Sequence, residues 1–198
     1  NGSLRITHRI NQSIIYEWHR IHSKGKEMNF EELLFQRRSI RKYTKEDMNP
    51  DTLQKILQAG LLAPSSRNKK PCQFYVIQDK DILKQLSTIK PSGTFIGDAN
   101  AAIIVMADAS LSDVWIEDCS IAMSYMQLMA TALQVGSCWV QMRKRTNALG
   151  KDAEEVVKEI VGAPQTYRLV GILSLGLPAQ ILPPHTIDDV DASKIHKI

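Results

Sequence analysis

Apolar residues recur along this chain in two periods, and the switches between them predict interleaved helices and strands. Asn29, followed three residues later by Glu32, reads as a capping box that opens a short helix carrying Phe30, Leu33 and Leu34. Asn49 then Pro50 marks a second helix start, with Leu53, Ile56, Leu57 and Leu61 at helical spacing behind it. Residues 72–78 alternate and are rich in β-formers, which predicts a strand, and residues 81–87 predict a helix. The unbroken apolar run 101–107 predicts a strand covered on both faces. Residues 114–135 are apolar almost all round and include Met123, Met126 and Met129, which marks a central buried helix whose methionines fill the core. A short strand over 137–142, an amphipathic helix over 151–161 closed by Gly162, and a buried strand over 168–175 complete the pattern. Strands and helices in this order predict an α/β or α+β layered sandwich.

Residues 1–27 stand apart. Ile10, Ile14, Ile15, Trp18 and Ile21 recur at helical spacing, as expected of an extension whose apolar stripe docks on its own domain or on a partner subunit. His8, His19 and His22 lie here without a carboxylate or cysteine to complete a zinc set, so no metal site is expected. Met28 is a natural start for the folded part. The expected organisation is therefore an N-terminal extension over 1–27 and one domain over 28–198.

Composition narrows the class. A 43% hydrophobic and 23% charged chain of 198 residues is ordinary for a soluble globular protein. The most apolar stretch, 115–135, still carries Glu117, Asp118 and several polar residues, and no hydrophobic leader core is seen near Asn1, so the expected location is cytoplasmic. Three widely spaced cysteines, Cys72, Cys119 and Cys138, predict neither a disulfide framework nor a structural zinc, and suggest packed thiols in a reducing compartment. The net charge is +4, but residues 1–27 hold five Arg or Lys against two Glu, leaving twenty against nineteen over 28–198. A nearly neutral body argues against a nucleic-acid partner, which needs a broad basic face.

One stretch breaks that neutrality. Arg37, Arg38, Ser39, Ile40, Arg41 and Lys42 pack four cations and a hydroxyl into six residues, a donor density suited to a bound anion. The chain has no nucleophile elbow, zinc-protease helix motif, Walker loop or dinucleotide-binding glycine motif, and nothing in the sequence joins Cys138 to His185 as a nucleophile and its base. A polypeptide with no reactive set of its own fits an enzyme whose cofactor carries the electrons.

From Phe30 onward the sequence resembles the FMN-dependent nitroreductase family. The resemblance rests on four elements in order: Arg37-x-Ser39-x-Arg41 after an amphipathic helix; Pro64, Ser65, Ser66, Arg67, Asn68 and Pro71 before a strand; Gly136, Ser137, Cys138, Trp139 and Val140 after the long helix; and Leu175, Gly176, Leu177 and Pro178 closing the last strand. Together they cover most of residues 30–183.

The resemblance implies a three-layer α/β/α sandwich with a central mixed, mainly antiparallel sheet. It implies a homodimer with FMN at the subunit interface, and NADH or NADPH as reductant. Arg37 and Ser39, supported by Arg38, would hold the phosphate and ribityl region, with Arg41 toward the pyrimidine edge. Pro64, Ser65, Ser66 and Asn68 would reach the flavin of the neighbouring subunit. Cys138, Trp139 and Val140 would lie beside the ring. Many members carry a Lys or Arg pair near the C-terminus; here Pro183, Pro184 and His185 occupy that region, leaving His185 as a candidate phosphate ligand. The chain also lacks the long insertion with which larger members cover the substrate. The expected activity is ping-pong hydride transfer from NAD(P)H to nitroaromatics, quinones or similar acceptors, with no catalytic side chain. A same-fold flavin enzyme performing dehalogenation or flavin fragmentation, and an anion- or nucleic-acid-binding module, are the alternatives at this stage.

Overall fold

A computed structural model describes residues 28–198; the stripe from Ile10 to Ile21 and the three early histidines lie outside them. Helix α1 (Phe30–Gln36) opens with the expected capping box, the Asn29 side chain accepting from the Glu32 amide while the Glu32 carboxylate accepts from the Asn29 amide. Helix α2 (Pro50–Leu62) starts at Asn49, whose side chain accepts from the Asp51 amide. Strand β1 (Cys72–Ile77) leads to α3 (Lys80–Ser87), capped by Asp79. Strand β2 (Ala101–Asp108), the central helix α4 (Trp115–Ala132) and strand β3 (Gly136–Gln141) follow. Helix α5 (Ala153–Val161) and strand β4 (Tyr167–Gly176) complete the sandwich. The connection from α3 to β2 winds into a 3₁₀ segment over Pro91–Asp98. Beyond Pro178 the chain makes two short 3₁₀ turns, Ile187–Asp189 and Ala192–Lys194.

The four strands are all antiparallel, in the order β1-β2-β4-β3. Among the described residues the expected parallel component amounts to one bridge, between Ser39 and Ser137 at the outer edge of β3. Alternation along β2 sends Ala101, Ile103, Val105 and Ala107 to one face, against Ile56 of α2 and Cys119, Met123 and Met126 of α4. Ala102, Ile104 and Met106 face the other way, against Leu83 and Leu86 of α3 and Val157 of α5. Both faces are covered, hence the continuous apolar run of β2. Met123 and Met126 of α4 are core residues, and Met129 is half-buried against them. Among the described residues no helix is long and apolar enough to cross a membrane.

On the α5 face one buried ionic cluster locks a helix to the sheet. Glu154 accepts from Lys158 Nζ at 3.1 Å, from Arg168 Nε at 2.8 Å and from the Leu169 amide at 2.8 Å. Glu154→Ala leaves Lys158, itself almost fully buried, without its main carboxylate. We expect a loss of about 3–5 kcal/mol, read as a lower urea midpoint with an unchanged slope. Replacing Glu154 and Lys158 together with apolar residues should cost less than the single change.

Candidate functional site

The basic segment leaves α1 and runs along the free edge of β3. Its seat is built from backbone contacts: the Ile40 amide donates to Ser137 O at 2.9 Å, Thr44 to Leu177 O at 2.8 Å, and Ala179 to Lys42 O at 2.9 Å. Two glycines make this approach possible. A Cβ at Gly136 would sit 2.8 Å from the Ile40 side chain, and one at Gly176 would sit 2.7 Å from the Tyr43 ring. The buried Tyr43 hydroxyl donates to Ile40 O at 2.9 Å and meets the buried Ser174 Oγ at 2.7 Å; Ser174 Oγ also lies 3.2 Å from Cys138 O. Burial pushes the Tyr43 phenol far above its ordinary range, so it acts as a neutral pin.

This seat leaves the cations unneutralised. Among the described residues Arg37, Arg38, Arg41 and Lys42 make no ion pair with a carboxylate. The Arg41 guanidinium lies 5.9 Å from the centroid of the Phe95 ring and donates weakly to Ser39 O. Arg38 donates to the carbonyl of Pro183 and so ties down the C-terminal tail. His185 is thereby brought to the same corner, its amide donating to Phe35 O at 2.8 Å. Its Nδ1, however, faces Asp189 at 3.3 Å, whose carboxyl is held below the usual range by the Thr186 amide and His185. An anion approaching His185 meets that carboxylate, so His185 is a weaker substitute for a basic pair than its position suggests.

Strand β3 divides the roles of its residues by alternation. Ser137 O faces the outer edge to receive Ile40, and Lys90 Nζ approaches Gln141 O on the same side at 3.4 Å. The Trp139 amide, two residues from each, turns to that edge as well. The Trp139 indole is half-buried and donates to Gln141 Oε1 at 3.0 Å, so its own donor is occupied. Val140 points into the α3–α5 core and Cys138 is buried. Burial holds the Cys138 thiol above its ordinary value, with Arg41, Ser39 and Arg37 pulling the other way without overcoming it. Thus Cys138 is a packed thiol beside the cations, and of these three residues the Trp139 backbone faces the open edge. Ser137 Oγ is buried without a hydrogen-bond partner among the described residues.

The Ser65 turn lies elsewhere. The Ser66 amide donates to Asp118 Oδ1 at 2.8 Å, Ser112 Oγ holds the other Asp118 oxygen, and Ser65 Oγ accepts from the Lys70 amide at 2.9 Å. Arg67, Asn68 and Lys70 all take left-handed backbone conformations, with φ of 51°, 53° and 47°. Pro64 and Asn68 are exposed. Asp118 is in the first turn of α4, whereas the groove beside the basic segment includes Thr131 near its last turn, together with Arg38, Ile40, Gly136 and Pro178. Thirteen helical residues separate the two, about 20 Å. Within one chain the turn and the cations therefore do not share a cavity. Tyr43, Ser174, Phe95 and Asp118, which position the two halves, escape sequence reasoning. A tyrosine just behind a basic run was the only available hint.

The donor set suits a phosphorylated organic group. Forked guanidiniums and a serine hydroxyl suit a phosphate, and Arg38 borders a groove that mixes apolar and polar groups, with Ile40, Val135 and Pro178 beside Thr131 and Gln134. The unpartnered Ser137 hydroxyl fits a site completed by a bound group.

Comparison with known proteins agrees. The profile of the Nitroreductase family matches residues 34–91 and 90–177. A protein of Archaeoglobus fulgidus, provisionally named NADH dehydrogenase/NAD(P)H nitroreductase, is 33% identical over 170 residues, covering 83% of this chain and 95% of its own. The structure of an FMN-dependent nitroreductase from Clostridium difficile R20291 superposes with a TM-score of 0.81 at 40% identity, covering 83% of this chain and 96% of that one. A provisionally named nitroreductase from Desulfovibrio desulfuricans, solved in complex with FMN, gives 0.66 at 25% identity, with coverage of 83% and 96%. The chain belongs to the nitroreductase family and has its three-layer α+β fold.

The seating of the basic segment is directly testable. Tyr43→Phe should cost about 1–2 kcal/mol by leaving Ile40 O and Ser174 short of a partner. Gly176→Ala should displace the segment outright. Limited trypsin digestion checks both, since Arg37, Arg38, Arg41 and Lys42 become faster cleavage sites once the segment lifts from β3.

Proposed function

We propose that this chain is an NAD(P)H-dependent FMN oxidoreductase acting as a homodimer. The observation that carries the reading is the group of four cations held on a sheet edge with no carboxylate among the described residues to neutralise them. FMN, when bound, would supply the redox chemistry of a ping-pong hydride transfer from NADH or NADPH to a nitroaromatic, quinone or similar acceptor. Arg37 and Ser39 hold the phosphate and ribityl end, with Arg38 lending charge while it fixes the tail. Arg41, steadied over Phe95, places a permanent cation toward the pyrimidine edge, where the reduced ring gathers negative charge. The edge of β3 beside Cys138 and Trp139 would line the ring with backbone, the Trp139 amide being the donor on that edge.

The partner copy is needed for the remaining half. The turn with Pro64, Ser65, Ser66 and Asn68 lies about 20 Å along α4 from its own cations, so in this reading it serves the site of the second subunit. Ile121 and Tyr125 stand one turn apart on the outer face of α4 and are exposed, as are Leu61 and Leu62 at the end of α2 and Phe30 and Leu34 on α1. An apolar face of this kind on both sides of a buried helix supports burial against a second copy.

Purified protein is expected to be yellow, or to take up added FMN, and to bleach with NADH or NADPH without oxygen. Arg37→Ala and Arg41→Ala should weaken FMN binding by about ten- to a hundredfold, measured by flavin fluorescence titration. Colourless protein that refuses added FMN would end this reading. Sedimentation velocity should give the mass of two chains, and Ile121→Glu with Tyr125→Glu should shift it to one chain with loss of flavin.

A further inference from the structure

Two thiols that the cofactor reading leaves unused are brought together by the fold. Cys72 opens β1 and Cys119 lies in the second turn of α4; they are 47 positions apart in sequence, yet their Sγ atoms are 3.3 Å apart. Cys119 is fully buried, its S–H directed at Cys72 and its sulfur also 3.4 Å from Met106 O. Cys72 is half-buried and lines a hollow with Ser65, Lys70 and Asp118, so a small solute reaches Cys72 and not Cys119. The donated S–H holds the Cys72 thiol below its ordinary value, which favours the thiolate at the accessible member of the pair. The third thiol, Cys138, is buried on β3 beside the cations and provides an internal control.

We infer that Cys72 and Cys119 form a peroxide-oxidisable dithiol whose closure ties the base of the Ser65 turn to α4. The Cys72 thiolate attacks one oxygen of hydrogen peroxide; the O–O bond breaks, hydroxide leaves and takes a proton to become water, and Cys72 becomes a sulfenic acid. Cys119 sulfur then attacks the Cys72 sulfur, its proton passes to the departing hydroxyl, and a second water leaves as the S–S bond forms. Two thiols lose two electrons and two protons, and one peroxide yields two waters. The sulfurs need to close by about 1.3 Å to reach bonding distance.

Location gives the bond its consequence. Asp118, the neighbour of Cys119, holds the Ser66 amide, and Pro71, the neighbour of Cys72, accepts from the Asp108 amide at 3.1 Å. A covalent link between the two cysteines therefore joins both anchors of the turn. It also closes a loop of nearly fifty residues in the unfolded chain, enough to raise the thermal midpoint by roughly 5–10 °C.

The test needs no nicotinamide and is independent of the flavin assignment. Reduced, desalted protein as purified is treated with a few equivalents of hydrogen peroxide, alkylated under denaturing conditions, and analysed by intact mass and peptide mapping. The expected product has lost two hydrogens, joins the Cys72 and Cys119 peptides within one chain, leaves Cys138 alkylated, melts higher and reverts with dithiothreitol. In Cys119→Ala, Cys72 should stop at the sulfenic acid and be captured by dimedone; in Cys72→Ser, Cys119 should stay reduced. Three alkylated thiols after treatment, oxidation falling first on Cys138, or a cross-link between two chains would each overturn the inference. Should Cys119→Ala fail to fold, the wild-type peptide map decides alone.

Discussion

The proposed site depends on holding a strongly cationic strand of chain against the edge of a sheet. Four like charges within six residues repel one another and favour an extended, solvated path. What opposes this is close packing rather than charge: Ile40 and Tyr43 fit where Gly136 and Gly176 leave no side chain, and the Tyr43 hydroxyl bridges the Ile40 carbonyl and Ser174. The glycines of two separated sequence elements are thus one device. They allow a backbone to lie on a strand edge with its guanidiniums still facing outward.

The two kinds of basic residue in the fold show how the protein separates structure from chemistry. Lys158 and Arg168 are answered by Glu154 and serve to join α5 to β4. Among the described residues Arg37, Arg41 and Lys42 are left without a carboxylate, and Arg38 donates to a carbonyl of the tail. Asp98, the acidic residue at the end of the Phe95 segment, pairs with Lys45 beyond the cluster. The proposed anion site would be made by withholding counter-charges at one place while supplying them elsewhere.

Helix α4 sets the dimensions of the whole arrangement. Its inner face fills the core, its first turn anchors the Ser65 turn through Asp118, and its last turn borders the groove beside the cations. Because the helix is rigid, the Ser65 turn and the groove beside the cations stay at fixed separation, and the exposed Ile121 and Tyr125 lie on its outer face between them. The Cys72–Cys119 contact lies at the same end of the helix as the Ser65 turn, so a change in its redox state acts on that half and leaves the cation half untouched.

The order of the elements, the caps at Asn29 and Asn49, the two-sided burial of β2 and the core role of the α4 methionines were legible in the sequence, because each follows from local periodicity or from a side chain bonding within three residues. The basic stretch and its three companion motifs were legible too, through composition and resemblance. The pairing of Tyr43 with Ser174, the clamp of Asp118 on Ser66, the position of Phe95 under Arg41 and the meeting of Cys72 with Cys119 were not. Those contacts join residues 47 to 131 positions apart, or depend on which way a strand edge faces. Local propensity encodes an element and its buried side, whereas the neighbours it meets are chosen by the order in which strands pair and helices cross them. That choice belongs to the tertiary structure.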